Sequence, residues 1–284
     1  MGMRIVVTGG SGRIGRFVVA ELAEAGHEVT SLDLAPAPDR RADVHYMSGD
    51  VSRFEDFYGA LAYVRAEALV HMAAWRDPGI VADSRTYGDN TRSVFNALEA
   101  AHGLRLRRVL IASSAQVYGF DGQGPLYAPV DEAHPLRPLN SYALAKIASE
   151  HAAAYFAERK GLKVLSLRIM GARDPAILSD EVALAAQDPV SGRFLLWTRC
   201  DARDIAIGCR QALEAPSVPS GVYNLTGSHN LLDEDSATLL ARYCPDADLR
   251  QGLAGQASPL SCEKARLAFG YAPRYRWSLA HRPG

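Results

Sequence analysis

Short apolar runs alternate with stretches of helical periodicity along the first two-thirds of the chain. This alternation is typical of an α/β protein with a doubly wound parallel sheet, in which helices connect successive strands. Six of the runs are rich in Val, Ile or Leu, as expected for strands that are buried on both faces. We predict strands at Arg4–Thr8, Glu28–Asp33, Val44–Ser48, Ala68–Met72, Arg108–Ala112 and Lys163–Arg168.

The stretches between these runs carry the spacing of amphipathic helices. Ile14, Val18 and Leu22 fall on one face of the first stretch, and Gly26 follows where a helix is expected to end. A chain of 284 residues allows one large core, or one core with a smaller appended lobe.

The composition of the chain mainly excludes classes of partner. The formal net charge of −1 provides no basic face, so we expect no nucleic-acid partner. The four cysteines form no CxxC pair and no metal-ligand spacing with His, so we expect reduced thiols and no metal. No run approaches about 18 apolar residues and no signal-peptide core is present, so we expect a cytoplasmic protein without a membrane partner.

A glycine-rich segment, TGGSGRIG at 8–15, directly follows the first predicted strand and opens the first predicted helix. This is the context that a phosphate-binding loop for a dinucleotide requires. Its glycines permit a tight turn, close approach of the backbone to a pyrophosphate, and close packing of the helix on the sheet. The alternative is a glycine-rich turn without a ligand. The loop residues that we assign to the cofactor are Gly9, Gly12, Arg13, Ile14 and Gly15.

The end of the second predicted strand bears on the choice of dinucleotide. Asp33 is placed to accept hydrogen bonds from an adenosine ribose and to repel a 2′-phosphate. This favours NAD. NADP stays open as an alternative, because Arg13, Arg40 and Arg41 offer guanidinium groups that clamp phosphates elsewhere.

A second acidic position follows the third predicted strand. Asp50 and Val51 are placed to meet the adenine ring of the cofactor. An Asp after a strand is also a common turn or cap residue, so both interpretations of Asp50 stay open.

The regular alternation weakens after Arg168, where prolines divide the chain into shorter pieces. We therefore expect residues 1–170 to form an NAD-binding Rossmann domain. Residues 171–284 are expected to form a small substrate-binding lobe that packs partly back on it.

Tyr142 and Lys146 are four residues apart in a predicted helix, so their side chains share one face. A phenol with an ordinary pKa near 10 is a poor base at neutral pH. A nearby ammonium and a positive nicotinamide ring both favour the phenolate, so Tyr142 is a candidate proton acceptor for an alcohol. The alternative is an ordinary amphipathic helix, which the scarcity of lysine in this chain makes less probable by chance.

Ser114 follows the fifth predicted strand, at the edge of the sheet where ligands of this fold class bind. Its hydroxyl can hydrogen-bond the substrate oxygen while a hydride passes to the nicotinamide. Ser113 competes for the same role.

These motifs in this order resemble the extended short-chain dehydrogenase/reductase family, which contains NAD-dependent sugar epimerases and dehydratases. The resemblance covers roughly residues 3–170. Its elements are TGGSGRIG at 8–15, Asp33, GDV at 49–51, HMAA at 71–74, Asn90, SSAQVYG at 113–119, YALAK at 142–146 and LRIMG at 167–171.

The resemblance implies roles for further residues. It aligns Ser114, Tyr142 and Lys146 with the family's catalytic residues, and Tyr142 and Lys146 also with its cofactor contacts. Ala73 and Ala74 resemble the family's backbone contacts to the cofactor ribose. Asn90 resembles an Asn that steadies the central helix or a proton-relay water. A homodimer built from the helices that carry Asn90 and Tyr142 is a further expectation of the resemblance.

The two residues after Ser114 bear on which reaction of the family this chain performs. The family's dehydratases carry an Asp-Glu pair there, because elimination of water needs an acid and a base. This chain has Ala115 and Gln116, so dehydration is disfavoured. The short C-terminal segment and Met170 to Arg173 also depart from the nucleotide-sugar enzymes, and the whole resembles uronate-dehydrogenase-like members.

We therefore expect an NAD-dependent oxidoreductase that transfers a hydride at a carbinol carbon of a sugar or sugar-acid-like, small polyhydroxylated substrate. One alternative is a nucleotide-sugar epimerase with transient hydride transfer. A second alternative is a non-catalytic NAD(H)-binding sensor, against which the complete Ser114, Tyr142 and Lys146 set argues. Arg173, Arg199 and Arg203 are candidate partners for a substrate carboxylate or phosphate, or else solvated surface residues.

Overall fold

The computed structural model describes residues 2–279 and 281. Within this part of the chain, the strands have the following bounds: β1 (Arg4–Thr8), β2 (Glu28–Asp33), β3 (Val44–Ser48), β4 (Ala68–His71), β5 (Arg108–Ser114), β6 (Tyr127–Ala128), β7 (Val164–Ile169), β8 (Ala172–Arg173), β9 (Cys200–Asp201), β10 (Gly221–Leu225) and β11 (Asp248–Leu249).

The helices of the same residues fall largely between these strands. Their bounds are α1 (Gly15–Glu24), α2 (Phe54–Tyr63), α3 (Asp83–Gly103), α4 (Phe120–Gln123), α5 (Ser141–Lys160), α6 (Pro175–Gln187), α7 (Pro189–Gly192), α8 (Ala202–Glu214), α9 (Ser236–Tyr243) and α10 (Glu263–Phe269). Two short 3₁₀ turns occupy Ala115–Tyr118 and Arg193–Leu195. None of the described helices combines the length and apolar character needed to cross a membrane.

Seven strands form one parallel sheet in the order β10-β7-β5-β4-β1-β2-β3. The chain runs outward from β1 to β3, then returns to the other side of β1 and continues outward through β4 and β5. The order therefore reverses between β1 and β4, and ligands of such sheets bind in the crevice at this point. The predicted doubly wound α/β fold is confirmed.

Helices cover both faces of the sheet. On one face, apolar side chains of α1, α8 and α10 pack against the strands in one core cluster. On the other face, α2, α3 and α5 form a second cluster with Phe57, Leu98 and Phe156 buried in it. A third cluster, around the fully buried Trp197, lies among α6, α9 and the loops after β5.

The bounds of the first three predicted strands agree with the structure, while β5 runs two residues further, to Ser114. The sequence analysis missed β10, which pairs in parallel with β7 through Leu225 opposite Ile169. Its five residues include the polar Asn224, which weakens the apolar signal. The segment after residue 170 thus contributes an edge strand and a covering helix, α8, to the same layered core.

Candidate active site

A cavity of about 670 Å³ opens at the carboxyl ends of β1, β4 and β5. Every residue to which the sequence analysis assigned a catalytic or cofactor role lines it: Gly9, Gly12, Arg13, Ile14, Gly15, Asp33, Asp50, Val51, Ala73, Ala74, Asn90, Ser114, Tyr142 and Lys146. Among residues 2–279 and 281, no group of three His, Cys, Asp or Glu side chains is arranged to hold a metal ion.

The backbone of the glycine loop packs closely against its neighbours because Gly9 and Gly15 carry no side chain. This packing leaves the space in front of the loop free for a ligand. Gly9 has a φ of +67°, and a Cβ there would lie 2.7 Å from the backbone nitrogen of Ala73. A Cβ at Gly15 would overlap the carbonyl oxygen of Gly9. No side chain caps the start of α1 at Ile14 and the first turn carries no acidic residue, so the positive end of the helix dipole is available to an anion in the cavity. This geometry fits a dinucleotide pyrophosphate.

Arg13 adds a positive charge to the same cavity. Its Nε is buried and has no hydrogen-bond partner among the described residues. Burial lowers the pKa of Arg13, and the neighbouring charges of Arg173 and Arg76 lower it further. A guanidinium with an unused donor and like-charged neighbours is suited to an anionic ligand.

Asp33 stands at the end of β2, on the cavity wall. Its two carboxylate oxygens accept hydrogen bonds from the backbone nitrogens of Ser11 and Ala35, each at 3.0 Å. These bonds fix the carboxylate at the rim, and each oxygen keeps acceptor capacity for a ribose hydroxyl.

Two of the three arginines that kept NADP open, Arg40 and Arg41, make their contacts outside the cavity, while the third, Arg13, lines it. Arg40 stacks over the ring of Tyr46, with its guanidinium carbon 4.7 Å from the ring centroid. Arg41 donates two hydrogen bonds of 3.0 Å to Asp43 and one of 2.8 Å to Glu24. Neither arginine lines the cavity, so a 2′-phosphate would meet the Asp33 carboxylate without either of these cations.

Asp50 and Val51 follow β3 on the same wall. Asp50 accepts hydrogen bonds from the backbone nitrogen and the hydroxyl of Ser52, at 2.9 and 2.8 Å. Asp50 therefore stabilises a turn and lines the cavity at once, which combines the two interpretations left open by the sequence.

The loop after β4 is held by Asn90 of α3. The Asn90 amide accepts a hydrogen bond from the backbone nitrogen of Trp75 at 2.8 Å and donates one to its carbonyl oxygen at 3.0 Å. This clamp fixes Ala73 and Ala74, just before Trp75, against the cavity. Asn90 thus steadies the wall through backbone contacts.

The structure separates the two candidate serines at the end of β5. Ser113 donates its hydroxyl to the buried carboxylate of Glu150 at 2.5 Å. Ser114 accepts a hydrogen bond from the backbone nitrogen of Gln116 at 3.2 Å and lies near enough to Tyr142 for its hydroxyl to lower the pKa of that phenol. The hydroxyl of Ser114 is therefore the one placed with the phenol.

Tyr142 lies in the first turn of α5, whose start is capped by the Asn140 side chain on the backbone nitrogen of Ala143. Burial raises the pKa of Tyr142 to about 12, while the Ser114 hydroxyl acts in the opposite direction. The sequence had predicted a lowered pKa for this phenol. The protein alone therefore keeps the phenol protonated, and its ionisation needs further positive charge in the cavity.

Lys146 lies one turn further along α5. Its Nζ donates a hydrogen bond of 2.7 Å to the carbonyl oxygen of Ala112 and lies 5.4 Å from the centroid of the Tyr142 ring. Burial lowers the pKa of Lys146 to about 8, against the opposing effect of Glu150. Lys146 is thus mostly protonated at pH 7, and its pKa lies only about one unit above that pH.

The remaining wall is formed by residues that the sequence analysis did not assign to the cofactor or the chemistry. Trp75 donates its indole N–H to Asp89 at 2.9 Å, and Arg85 donates to the same carboxylate oxygen at 3.0 Å. Phe194 and Leu195 reach the cavity from the 3₁₀ turn after α7. The available signal for Trp75 was the position of WRD at 75–77, which directly follows the HMAA segment at the end of β4.

Of the three arginines considered as substrate partners, only Arg173 lines the cavity. It shares the carboxylate of Glu181 with Arg199, whose side chain is 8% exposed. Arg203 instead pairs with Asp201 at 2.9 Å. One carboxylate between two guanidinium groups leaves an excess positive charge beside the cavity.

The family model for the NAD dependent epimerase/dehydratase family matches residues 5–176. The chain belongs to this family. The predicted resemblance is confirmed, and the cofactor of the family is NAD, which the glycine loop and Asp33 fit.

Relatives with assigned activities include a UDP-glucose 4-epimerase of Streptomyces lividans, 31% identical over 59% of this chain and 51% of the relative. An L-arabinose 1-dehydrogenase (NAD(P)(+)) of Haloferax volcanii is 29% identical over 77% of this chain and 86% of the relative. The chain spans about half the length of the first epimerases that it matches.

Solved structures show the same fold. A short-chain dehydrogenase/reductase superfamily protein from Agrobacterium tumefaciens with bound NAD has a TM-score of 0.73 at 23% identity, covering 96% of this chain and 93% of that one. The UDP-glucose 4-epimerase of Thermotoga maritima with UDP-glucose has a TM-score of 0.74 at 20% identity, covering 96% and 94%.

Proposed function

We propose that this protein is an NAD-dependent dehydrogenase that oxidises a carbinol carbon of a free sugar or sugar acid. The observation that carries the proposal is the meeting of Ser114, Tyr142 and Lys146 in the cavity that the glycine loop opens. A non-catalytic NAD(H)-binding sensor would need the cofactor site, but it would not need the Tyr142 phenol beside the end of β5.

Bound NAD would supply the hydride acceptor, so that the carbinol loses a hydride to it and a proton to the protein. Ser114 would hold the substrate oxygen by a hydrogen bond. The oxygen of Tyr142 would take the proton, since Tyr142 lines the same cavity as Ser114 and its pKa responds to the Ser114 hydroxyl. The Lys146 ammonium supplies positive charge one helical turn away and favours the phenolate.

The charge of the cavity supports an acidic substrate. Asp77, Arg13 and Arg76 all act electrostatically on Tyr142. Asp77 pairs with Arg76 at 2.8 Å, so Arg13 supplies the positive charge near the reacting hydroxyl that this pair does not neutralise. Arg173 lines the same cavity, and Glu181 can be retained by Arg199 if Arg173 turns to a ligand. A guanidinium pairs well with a substrate carboxylate.

The extent of the sequence matches favours a free sugar over a nucleotide sugar. The match to the arabinose dehydrogenase extends over most of both chains, while the matches to the epimerases cover about half of those proteins. The runner-up is a nucleotide-sugar epimerase, which those relatives support.

We also propose that residues 171–284 supply most of the substrate contacts and that residues 1–170 hold the cofactor. Arg173, Phe194 and Leu195 support this division, because they bring the later segment to the cavity. A cytoplasmic location is supported by four cysteines that form no disulfide.

A homodimer is proposed through the outer faces of α3 and α5. These packed helices expose apolar side chains, and large exposed apolar surfaces mark interaction sites. The side chains are Tyr87, Phe95, Leu144 and Tyr155, which are 40%, 46%, 48% and 48% exposed.

The test is to incubate the purified protein with NAD and a panel of neutral sugars, sugar acids and nucleotide sugars while recording NADH absorbance. Tyr142→Phe is the variant and Tyr63→Phe, at an exposed tyrosine outside the cavity, is the matched control. Sustained NADH formation from a free sugar or sugar acid, lost by about 10²-fold or more only in Tyr142→Phe, supports the proposal. Interconversion of a nucleotide sugar without net NADH overturns it in favour of an epimerase, and NADH binding without any turnover overturns it in favour of a sensor.

A second variant, Arg173→Met, tests the acidic substrate. We expect the KM for a sugar acid to rise about tenfold or more while the KM for a neutral sugar stays unchanged. An equal effect on both substrates would contradict a role in carboxylate binding.

A further inference from the structure

A buried ion pair joins α5 to β7 without lining the cavity. Glu150 and Arg168 are 6% and 4% exposed. Arg168 donates to both carboxylate oxygens, from Nε at 2.9 Å and from Nη2 at 2.7 Å. A buried ion pair is often no more stabilising than apolar residues of the same size. The role of this pair is therefore sought in the other residues that it holds by hydrogen bonds.

The pair holds the chain on both sides of Ser114. Ser113 donates its hydroxyl to the carboxylate of Glu150 at 2.5 Å. Arg168 donates from Nη1 to the hydroxyl of Tyr118 at 3.0 Å. Ser114 lies between these two anchored residues in the sequence, so the ion pair fixes the strand end and the following turn relative to each other.

The same carboxylate faces Lys146. Glu150 follows Lys146 by four residues in α5, which places the two side chains on one helix face. The other groups that face Lys146 are the Tyr142 ring on α5 and His71 on β4. His71 is buried and its pKa is lowered to about 3, so it carries no charge at neutral pH. Glu150 is therefore the anion among the neighbours that these contacts identify.

We infer that Glu150 is a positioning residue for the catalytic set: its carboxylate keeps Lys146 charged and, with Arg168, holds Ser114 in register with α5. For the reaction rate, the inference rests on the proposed function. Its electrostatic part concerns Lys146 alone and does not depend on which substrate is turned over. Burial opposes the charged form of Lys146, and the buried carboxylate offsets that effect.

The chain contains four lysines, at 146, 160, 163 and 264, so a lysine ¹³Cε spectrum of the full protein is simple to assign. The signal that disappears in Lys146→Arg identifies Lys146. The experiment records the pKa of this signal in the wild type, in Glu150→Gln and in Glu158→Gln, the control, whose carboxylate is exposed on the same helix. We expect a value near 8 in the wild type and in the control, and a value about one unit lower in Glu150→Gln. An unchanged value in Glu150→Gln overturns the inference.

Glu150→Gln leaves Arg168 without its anion and can fail to fold for that reason. The double variant Glu150→Met/Arg168→Met removes both charges, so the pKa of Lys146 is expected to fall by less than in Glu150→Gln, and a pKa that does not fall would overturn the inference. Ser113→Ala tests the mechanical link, since it keeps the ion pair and removes the hydroxyl. We expect its kcat to fall about tenfold with KM unchanged, and an unaltered kcat would overturn that part of the inference.

The two failures can be told apart. A wild type that turns over no sugar, combined with a shifted Lys146 in Glu150→Gln, removes the proposed function and keeps the electrostatic inference. An active wild type with an unshifted Lys146 removes the inference and keeps the function.

Discussion

Lys146 donates a hydrogen bond of 2.7 Å to the carbonyl oxygen of Ala112, two residues before Ser114. This bond joins the second turn of α5 to the end of β5. Ser114, Tyr142 and Lys146 therefore lie on two rigid elements that are linked beside the cavity. Substitutions elsewhere on the cavity wall are expected to change binding without displacing this set.

The first prediction concerns the choice of cofactor. In Asp33→Asn the carboxylate that faces a ribose hydroxyl is replaced by a neutral amide, so a 2′-phosphate is no longer repelled. We expect the ratio of the NADPH and NADH dissociation constants to fall by about tenfold or more, which is about 1.4 kcal/mol. Fluorescence titration of each reduced cofactor measures this. An unchanged ratio would show that Asp33 does not select the cofactor.

The glycine loop gives a second prediction. Gly9→Ala would place a Cβ 2.7 Å from the backbone nitrogen of Ala73 at a φ of +67°. We expect the loop to shift, NADH affinity to fall by about tenfold or more, and the melting temperature to drop.

The matched control for that variant is Gly59→Ala. Gly59 lies inside α2, and a Cβ there meets nothing within 4 Å. Alanine is the better helix former by roughly 0.5–1 kcal/mol, so this variant should melt at or above the wild-type temperature and bind NADH normally. Equal behaviour of the two variants would contradict the close approach at Gly9.

A third prediction concerns acid stability and His71. His71 is buried between the hydroxyls of Thr8, at 2.8 Å, and Ser93, at 3.3 Å. Burial lowers its pKa to about 3, from 6.5 in the unfolded chain. The unfolded chain therefore binds the extra proton between these values, so the contribution of His71 to stability is present above pH 6.5 and is lost as the pH falls toward 3.

At pH 5 this effect costs about 2 kcal/mol relative to pH 7. We expect chemical denaturation to show a smaller loss of stability between pH 7 and pH 5 in His71→Gln than in the wild type. The variant is expected to be less stable than the wild type at pH 7, because the buried site is shaped for an imidazole. If His71→Gln loses as much stability between pH 7 and pH 5 as the wild type does, the acid sensitivity belongs to other groups.

The fourth prediction tests the proposed homodimer. Phe95 is 46% exposed on the outer face of α3, and Phe95→Glu would place a carboxylate in the interface. We expect light scattering to report a dimer for the wild type and a monomer for this variant. Leu267→Glu, at a leucine that is 71% exposed on α10, is the control and should stay dimeric. A monomeric wild type would remove the proposed dimer.

The sequence by itself determined the features that depend on neighbours along the chain. The bounds of β1 and β2, the glycine loop after β1 and the spacing of Tyr142 and Lys146 follow from local periodicity and from the special conformations of glycine. These features place the cofactor site at the sheet edge, since strand ends of a parallel sheet share one edge.

Only the tertiary structure decided the rest. The edge position of β10 depends on pairing with β7, more than 50 residues earlier in the chain, and its five residues, which include Gly221 and Asn224, carried only a weak strand signal. The choice of Ser114 over Ser113 depends on Glu150, which accepts the Ser113 hydroxyl from another element. The raised pKa of Tyr142 and the lowered pKa of Lys146 follow from burial, and burial is set by residues that are distant in the sequence and adjacent in the fold.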